Sequence, residues 1–266
     1  MIKINLKQAL CFLLLSQLIG LNTAMADTGE TLKKLYEMRT ISYAILGDYY
    51  MFSGLEGDSR YSRDMNTGVM AFEQHLQQLP SDLTANTEVT SNWQSYRELI
   101  ETNQSDFLSQ GYANARLVGQ LGTKAIELNE SLAQAYTNLQ SSSGYSTSKW
   151  TQITRDMGLI IGTITAEYAA RGTSSMGQIM TIQINGEGMD HQAKRFGKLL
   201  TQLKAAPNND KAIFKSIDQV GVKWSFIAKS VTNYNQNSVP FIVNSYGDRI
   251  NKNLETIGNH YANTQG

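Results

Sequence analysis

The sequence predicts an all-α protein in which long up-down helices form two tandem or stacked helical-bundle modules. Three observations carry this. Only three prolines occur in 266 residues (Pro80, Pro207 and Pro240), and none interrupts a strongly periodic stretch. Apolar residues recur at steps of three and four, the period of a helix and not of a strand. A set of landmark residues also recurs in the same order in each half of the chain, the signature of an internal repeat.

The first 26 residues stand apart. Lys3 and Lys7 give a positive start, residues 9–21 form an apolar run broken by Ser16, Gln17 and Gly20, and Ala24-Met25-Ala26 places small residues before Asp27. This is the layout of a cleaved secretory signal peptide over residues 1–26. The alternative is an uncleaved anchor, but the run is short against the roughly 20 residues a bilayer span takes. Cys11 lies within it, so the chain from Asp27 has no cysteine and uses neither disulfides nor thiolate metal sites. Without Lys3 and Lys7 the balance is 21 basic to 23 acidic residues, which argues against nucleic acid as a partner. A soluble periplasmic protein is expected.

In the first module, residues 27–140, a helix opens with Leu32, Leu35, Met38, Ile41, Ile45, Tyr49 and Phe52. A second stripe, Val69, Phe72, Leu76 and Leu79, ends at Pro80, and Ser81-Asp82 offers a new start before Trp93, Tyr96, Leu99 and Ile100. Residues 112–140 then carry Leu117, Leu121, Ala125, Leu128, Leu132, Ala135 and Leu139 at near-heptad steps, which predicts a long rod packed in a bundle. Ser141-Ser142-Ser143-Gly144 reads as a turn between modules, and the second module spans residues 145–262. Across the two, Thr40-Ile41-Ser42 matches Thr163-Ile164-Thr165, Met65 matches Met189, Phe72 matches Phe196 and Trp93 matches Trp224. Asn103-Gln104 matches Asn235-Gln236, Phe107 matches Phe241, and Tyr112 matches Tyr246. Phe72, Trp93, Phe196 and Trp224 are expected to fill the bundle cores or their end caps, where large-ring burial dominates packing.

Catalytic patterns are missing from the sequence. His75, His191 and His260 are far apart and form no H-x-x-x-H pair, and there is no G-x-S-x-G elbow or phosphate loop. No enzyme, cofactor or metal is expected. One pair has chemical interest. Arg39 and Ser42 fall on a possible seam, Leu32-Leu35-Arg39-Ser42-Leu46-Tyr49, where a guanidinium and a hydroxyl less than one turn apart suit a small planar or carboxylate anion. The neighbouring register, Met38-Ile41-Ile45-Phe52, instead turns Arg39 to the helix edge.

Met38-Arg39-Thr40-Ile41-Ser42, continuing through Leu46-Gly47-Asp48-Tyr49-Tyr50-Met51, resembles the first-helix signature of the N-terminal sensor domain of type IV pilus methyl-accepting chemotaxis transducers. Phe72-Glu73-x-x-Leu76-x-x-Leu79, the isolated Trp93 and Glu127-Leu128-Asn129-Glu130 extend the likeness, which covers nearly all of residues 27–262 as two copies. The resemblance implies extracytoplasmic sensing by paired helical bundles. It implies that Arg39, with Ser42 beside it, is the ligand-binding position for a small anion, at a site often formed in a homodimer. In the second copy the matching position is Gly162. With no signalling domain in the chain, a membrane receptor or envelope protein is the implied partner. The competing expectation is a purely structural or protein-interaction bundle with no small ligand.

Overall fold

The computed structural model describes the backbone of residues 6–85, 87–173, 186–207, 209–236 and 238–263, with side chains from residue 27 onward. The expected signal peptide therefore falls on side chains outside those described. Among the described residues there are nine helices and no strand: α1 (Leu6–Gly54), α2 (Ser59–Gln77), α3 (Ser81–Thr84), α4 (Glu88–Gln110), α5 (Ala115–Ser143), α6 (Lys149–Thr173), α7 (Met189–Lys204), α8 (Lys211–Thr232) and α9 (Pro240–Asn263). The all-α class is observed.

Local chemistry sets the helix ends. Asp58, Asn114 and Asp210 cap α2, α5 and α8 with side-chain acceptors for the first free N–H groups. Gly111 and Gly144 end α4 and α5 at φ 79° and 67°, a left-handed conformation that costs glycine little. Ser81-Asp82 starts only the single turn α3, because Ala85 turns to extended backbone, and the long helix restarts after Thr87. Ser141, Ser142 and Ser143 continue α5, and the break falls at Gly144, so α5 and α6 are separate helices.

One order of packing occurs twice. In residues 27–143, α1 packs on α2 and α5, and α4 packs on α5; in residues 149–263, α6 packs on α7 and α9, and α8 packs on α9. Each set encloses its own core. Phe72 and Trp93 stack at 3.8 Å between ring centroids in the first, and Phe196 meets Trp224 at 4.4 Å in the second. Phe72 and Phe196 are both fully buried and Trp93 and Trp224 are buried, as expected, whereas the matched Phe241 and Tyr112 are exposed. The heptad positions Leu121, Ala125, Leu128 and Leu132 of α5 are buried too.

The two sets meet along α1 and α6, which run parallel. Gly47 approaches the Ala166 backbone, Gly162 stands against Tyr43, and Thr173 donates to the Tyr50 carbonyl at 2.8 Å. Residues matched by the repeat thus lie side by side within about one turn, as in a two-fold pair of parallel helices. Because α1 is enclosed by α2, α5 and α6, both of its candidate registers are buried: Met38, Ile45 and Phe52 on one side, Ser42, Leu46 and Tyr49 on the other. A helix buried on more than one face has no single apolar stripe to announce its orientation.

Close approach along this seam depends on small residues. A methyl group at Gly158 would overlap the Tyr36 hydroxyl. Gly158→Ala is therefore expected to destabilise the chain by about 1–3 kcal/mol through overpacking, measured by urea unfolding. An unchanged midpoint would contradict the close parallel contact.

Candidate functional site

Arg39 projects from α1 into the junction of α1, α5 and α6. Its Nε is buried without a hydrogen-bond partner, and among the described residues it forms no ion pair. Burial lowers the guanidinium pKa from its ordinary value, opposed by Tyr43, Asp156, Tyr136 and Tyr36 around it. Asp156, the nearby carboxylate, is engaged by Gln152 at 2.7 Å, and its own pKa is raised, chiefly by burial.

A second guanidinium reaches the same junction from α6. Arg155 is 7% exposed, donates to the Tyr136 hydroxyl at 2.8 Å, and lies 5.7 Å from the ring centroids of both Tyr36 and Tyr136. It too forms no ion pair among the described residues. Burial pushes the Tyr36 and Tyr43 phenols well up, so both stay protonated and can donate. Both guanidiniums thus lie beside Tyr36 and Tyr136, and the carboxylates nearby, Asp156, Glu37 and Glu255, form no ion pair with either of them among the described residues. The unpartnered Nε–H of Arg39 is a donor that a small oxyanion can accept. Beside Arg155, a cleft of only about 20 Å³ opens between α1, α6 and α9, lined by Tyr36, Glu37 and Glu255 among others. A ligand larger than water enters only if the helices separate slightly.

Ser42 is not brought to Arg39's guanidinium. Its hydroxyl is fully buried in the first core, donates to the Arg39 carbonyl at 2.9 Å, and accepts from Asn129 of α5. Tyr96 closes the group by donating to the Ser42 carbonyl at 2.9 Å. Ser42 thus ties α1 to α4 and α5 and leaves the junction to the arginines. Its counterpart in the second core is Thr165, also buried, which donates to the Ile161 carbonyl at 2.7 Å, while Thr163, the mate of Thr40, donates to Gln192 at 2.7 Å.

Sequence reasoning missed Arg155, Tyr36, Tyr43 and Tyr136. A signal was present: at the offset that pairs Thr40 with Thr163, Arg155 occupies the place of Leu32, and Arg39 that of Gly162. Each arginine stands where its repeat mate is uncharged.

No family model, curated protein or solved structure matches this chain. The site is therefore read from its own chemistry. Among the described residues no three His, Cys, Asp or Glu side chains are placed to hold a metal ion, and no helix is long and apolar enough to cross a membrane. His75 lies 3.6 Å from Glu37, which also lines the cleft beside Arg155, and His191 lies 3.7 Å from Asp190.

A separate group of carboxylates bears on stability. Asp48 of α1, Asp64 of α2 and Asp248 of α9 face one another; burial and mutual repulsion raise Asp48 well above the ordinary value and Asp248 from 3.8 to about 6. Asp248 is exposed at the surface, yet the helices around its carboxyl, with Asp64 nearby, disfavour its charge. With a folded pKa above the unfolded one, the folded state binds the proton more tightly. Stability from this group is full at low pH and is lost as pH rises from 3.8 through about 6. Asp248→Asn should flatten that fall, as measured by thermal melts across pH 4 to 7. An unaltered pH profile would show that Asp248 titrates normally.

Proposed function

We propose that the protein is a periplasmic sensor-like helical-bundle protein that takes a small oxyanion at the α1–α5–α6 junction and passes the change to a membrane receptor or envelope partner. One observation carries this reading: Arg155 is buried, the Nε of the half-buried Arg39 has no hydrogen-bond partner, both lie beside Tyr36 and Tyr136, and neither forms a carboxylate ion pair among the described residues. A buried unpaired charge costs several kcal/mol, a cost an incoming anion would offset. The resemblance of residues 38–51 to transducer sensor domains supports the same class of function. An anion that enters favours a slightly separated α1–α6 pair, and packed helices switch between discrete arrangements. The two copies then differ in role: the first supplies Arg39 to the junction, while the second has Gly162 at the matching position and contributes Arg155.

Thermal-shift measurements with nitrate, acetate and dicarboxylates, against matched chloride controls, test the reading. A saturable rise in Tm that disappears in Arg39→Gln and in Arg155→Gln is expected. If no small oxyanion raises Tm above chloride, the protein is a structural or docking bundle instead.

A further inference from the structure

Charge is divided sharply between the two halves. Residues 27–144 hold eight basic and 15 acidic residues, whereas residues 145–266 hold 13 basic and eight acidic. The basic surplus of the second half is concentrated on α7 and α8. On α8, Ile213, Ile217, Val220, Trp224, Ile227 and Val231 face the core. The opposite face should then be polar, but it carries Val222 at 50% and Phe226 at 64% exposure. At the same helical phase lie Lys211, Lys215 and Lys229, all exposed and without ion pairs among the described residues. The apolar crown continues onto α9, where Tyr246 stacks on Phe226 at 5.5 Å and Ile242, 44% exposed, precedes Tyr246 by one turn.

Exposed large apolar groups that share a face with unpaired cations are not explained by packing or by solubility. From them we infer that the outer α8–α9 face docks on an anionic lipid bilayer. The shape of the face favours lipid over protein. Val222 and Phe226 lie on the face of α8 opposite its core row, with Ile242 on the flank of α9, and so they suit a fluid surface that yields around them. The lysines are flexible point charges, which gather lipid phosphates without requiring a fixed partner geometry. Rings and aliphatic groups would enter the headgroup boundary while the lysines stay at its charged surface, the division of labour of an interfacial amphipathic helix. Asp218 is the one acidic side chain on α8, and it lies toward the Lys211 end, away from Phe226. The acidic first half would be held away from the membrane by the same charge that draws the second half in. This docking is independent of the anion site and would bring the junction close to a membrane receptor.

Flotation of the full chain with vesicles tests the inference, using phosphatidylglycerol mixed with phosphatidylcholine against phosphatidylcholine alone. The apolar residues 9–21 are common to every variant, so the difference between variants is what is read. Wild type should partition preferentially to the anionic vesicles, and high salt should release it. Lys215→Glu with Lys229→Glu should lower partitioning by more than the roughly fivefold expected for each lysine neutralised. Val222→Ser with Phe226→Ser should also abolish it, with the helical circular dichroism unchanged. Equal binding to neutral vesicles overturns the inference, as does full retention by either double variant. If the serine variant instead dissolves a dimer seen by light scattering while vesicles bind nothing, the face is a protein interface and the inference falls.

Discussion

Arg39→Met is expected to stabilise the folded chain by about 1–3 kcal/mol while abolishing its response to small oxyanions. Methionine fills a volume similar to the arginine stem and brings no charge into the α1–α5–α6 junction. The gain comes from removing a desolvated guanidinium whose Nε has no partner. An arginine held only for structure would behave in the opposite way. Removing a well-paired buried cation orphans its carboxylate and costs about 3–5 kcal/mol. For Arg39 the one nearby carboxylate, Asp156, already has Gln152 at 2.7 Å, so the loss leaves little unsatisfied. Urea unfolding with and without nitrate measures both halves of the expectation. A destabilised Arg39→Met chain would show that the arginine is an ordinary structural residue.

Phe196→Ala is expected to cost about 3–5 kcal/mol and to unfold both halves together. Phe196 is fully buried and packs against Trp224. Its deletion leaves a ring-sized cavity among helices that cannot collapse onto it. The effect spreads because α6 serves both cores: Ile160, Ile161 and Ile164 belong to the second, while Ala166, Ala169 and Ala170 pack into the first. Hydrogen exchange resolved by helix should therefore show α1, α2 and α5 losing protection along with α7 to α9. Phe72→Ala should have an equivalent effect from the other side. Loss confined to α7, α8 and α9 would mean that the halves are energetically independent despite the shared seam.

The parts of this fold that sequence revealed are those with one buried face. The heptad run of α5 announced its core positions because solvent covers its other side. Phe72 and Trp93 were legible through their repeat mates Phe196 and Trp224. The central helices α1 and α6 were less legible for the opposite reason. Residues 160–170 of α6 are almost continuously buried, so no stripe marks which side meets which neighbour. Arg39 was found because a cation interrupted an apolar run. Arg155 was hidden by its setting, between Thr154 and Asp156 in a stretch that reads as an ordinary helix surface. The role of Ser42 needed long-range information, since its partner Asn129 lies on α5, 87 residues away. Periodicity predicts which residues are inside, whereas the meeting of α1, α5 and α6 is a matter of topology.

The most direct test of the anion junction is to follow the arginine Nε–H resonances of ¹⁵N-labelled protein during a nitrate titration. A slow-exchanging resonance assigned to Arg39 by its absence in Arg39→Lys should shift downfield and saturate, with Arg155 moving in parallel and surface arginines unmoved. Uniform small shifts across all arginines, growing linearly with salt, would contradict the account.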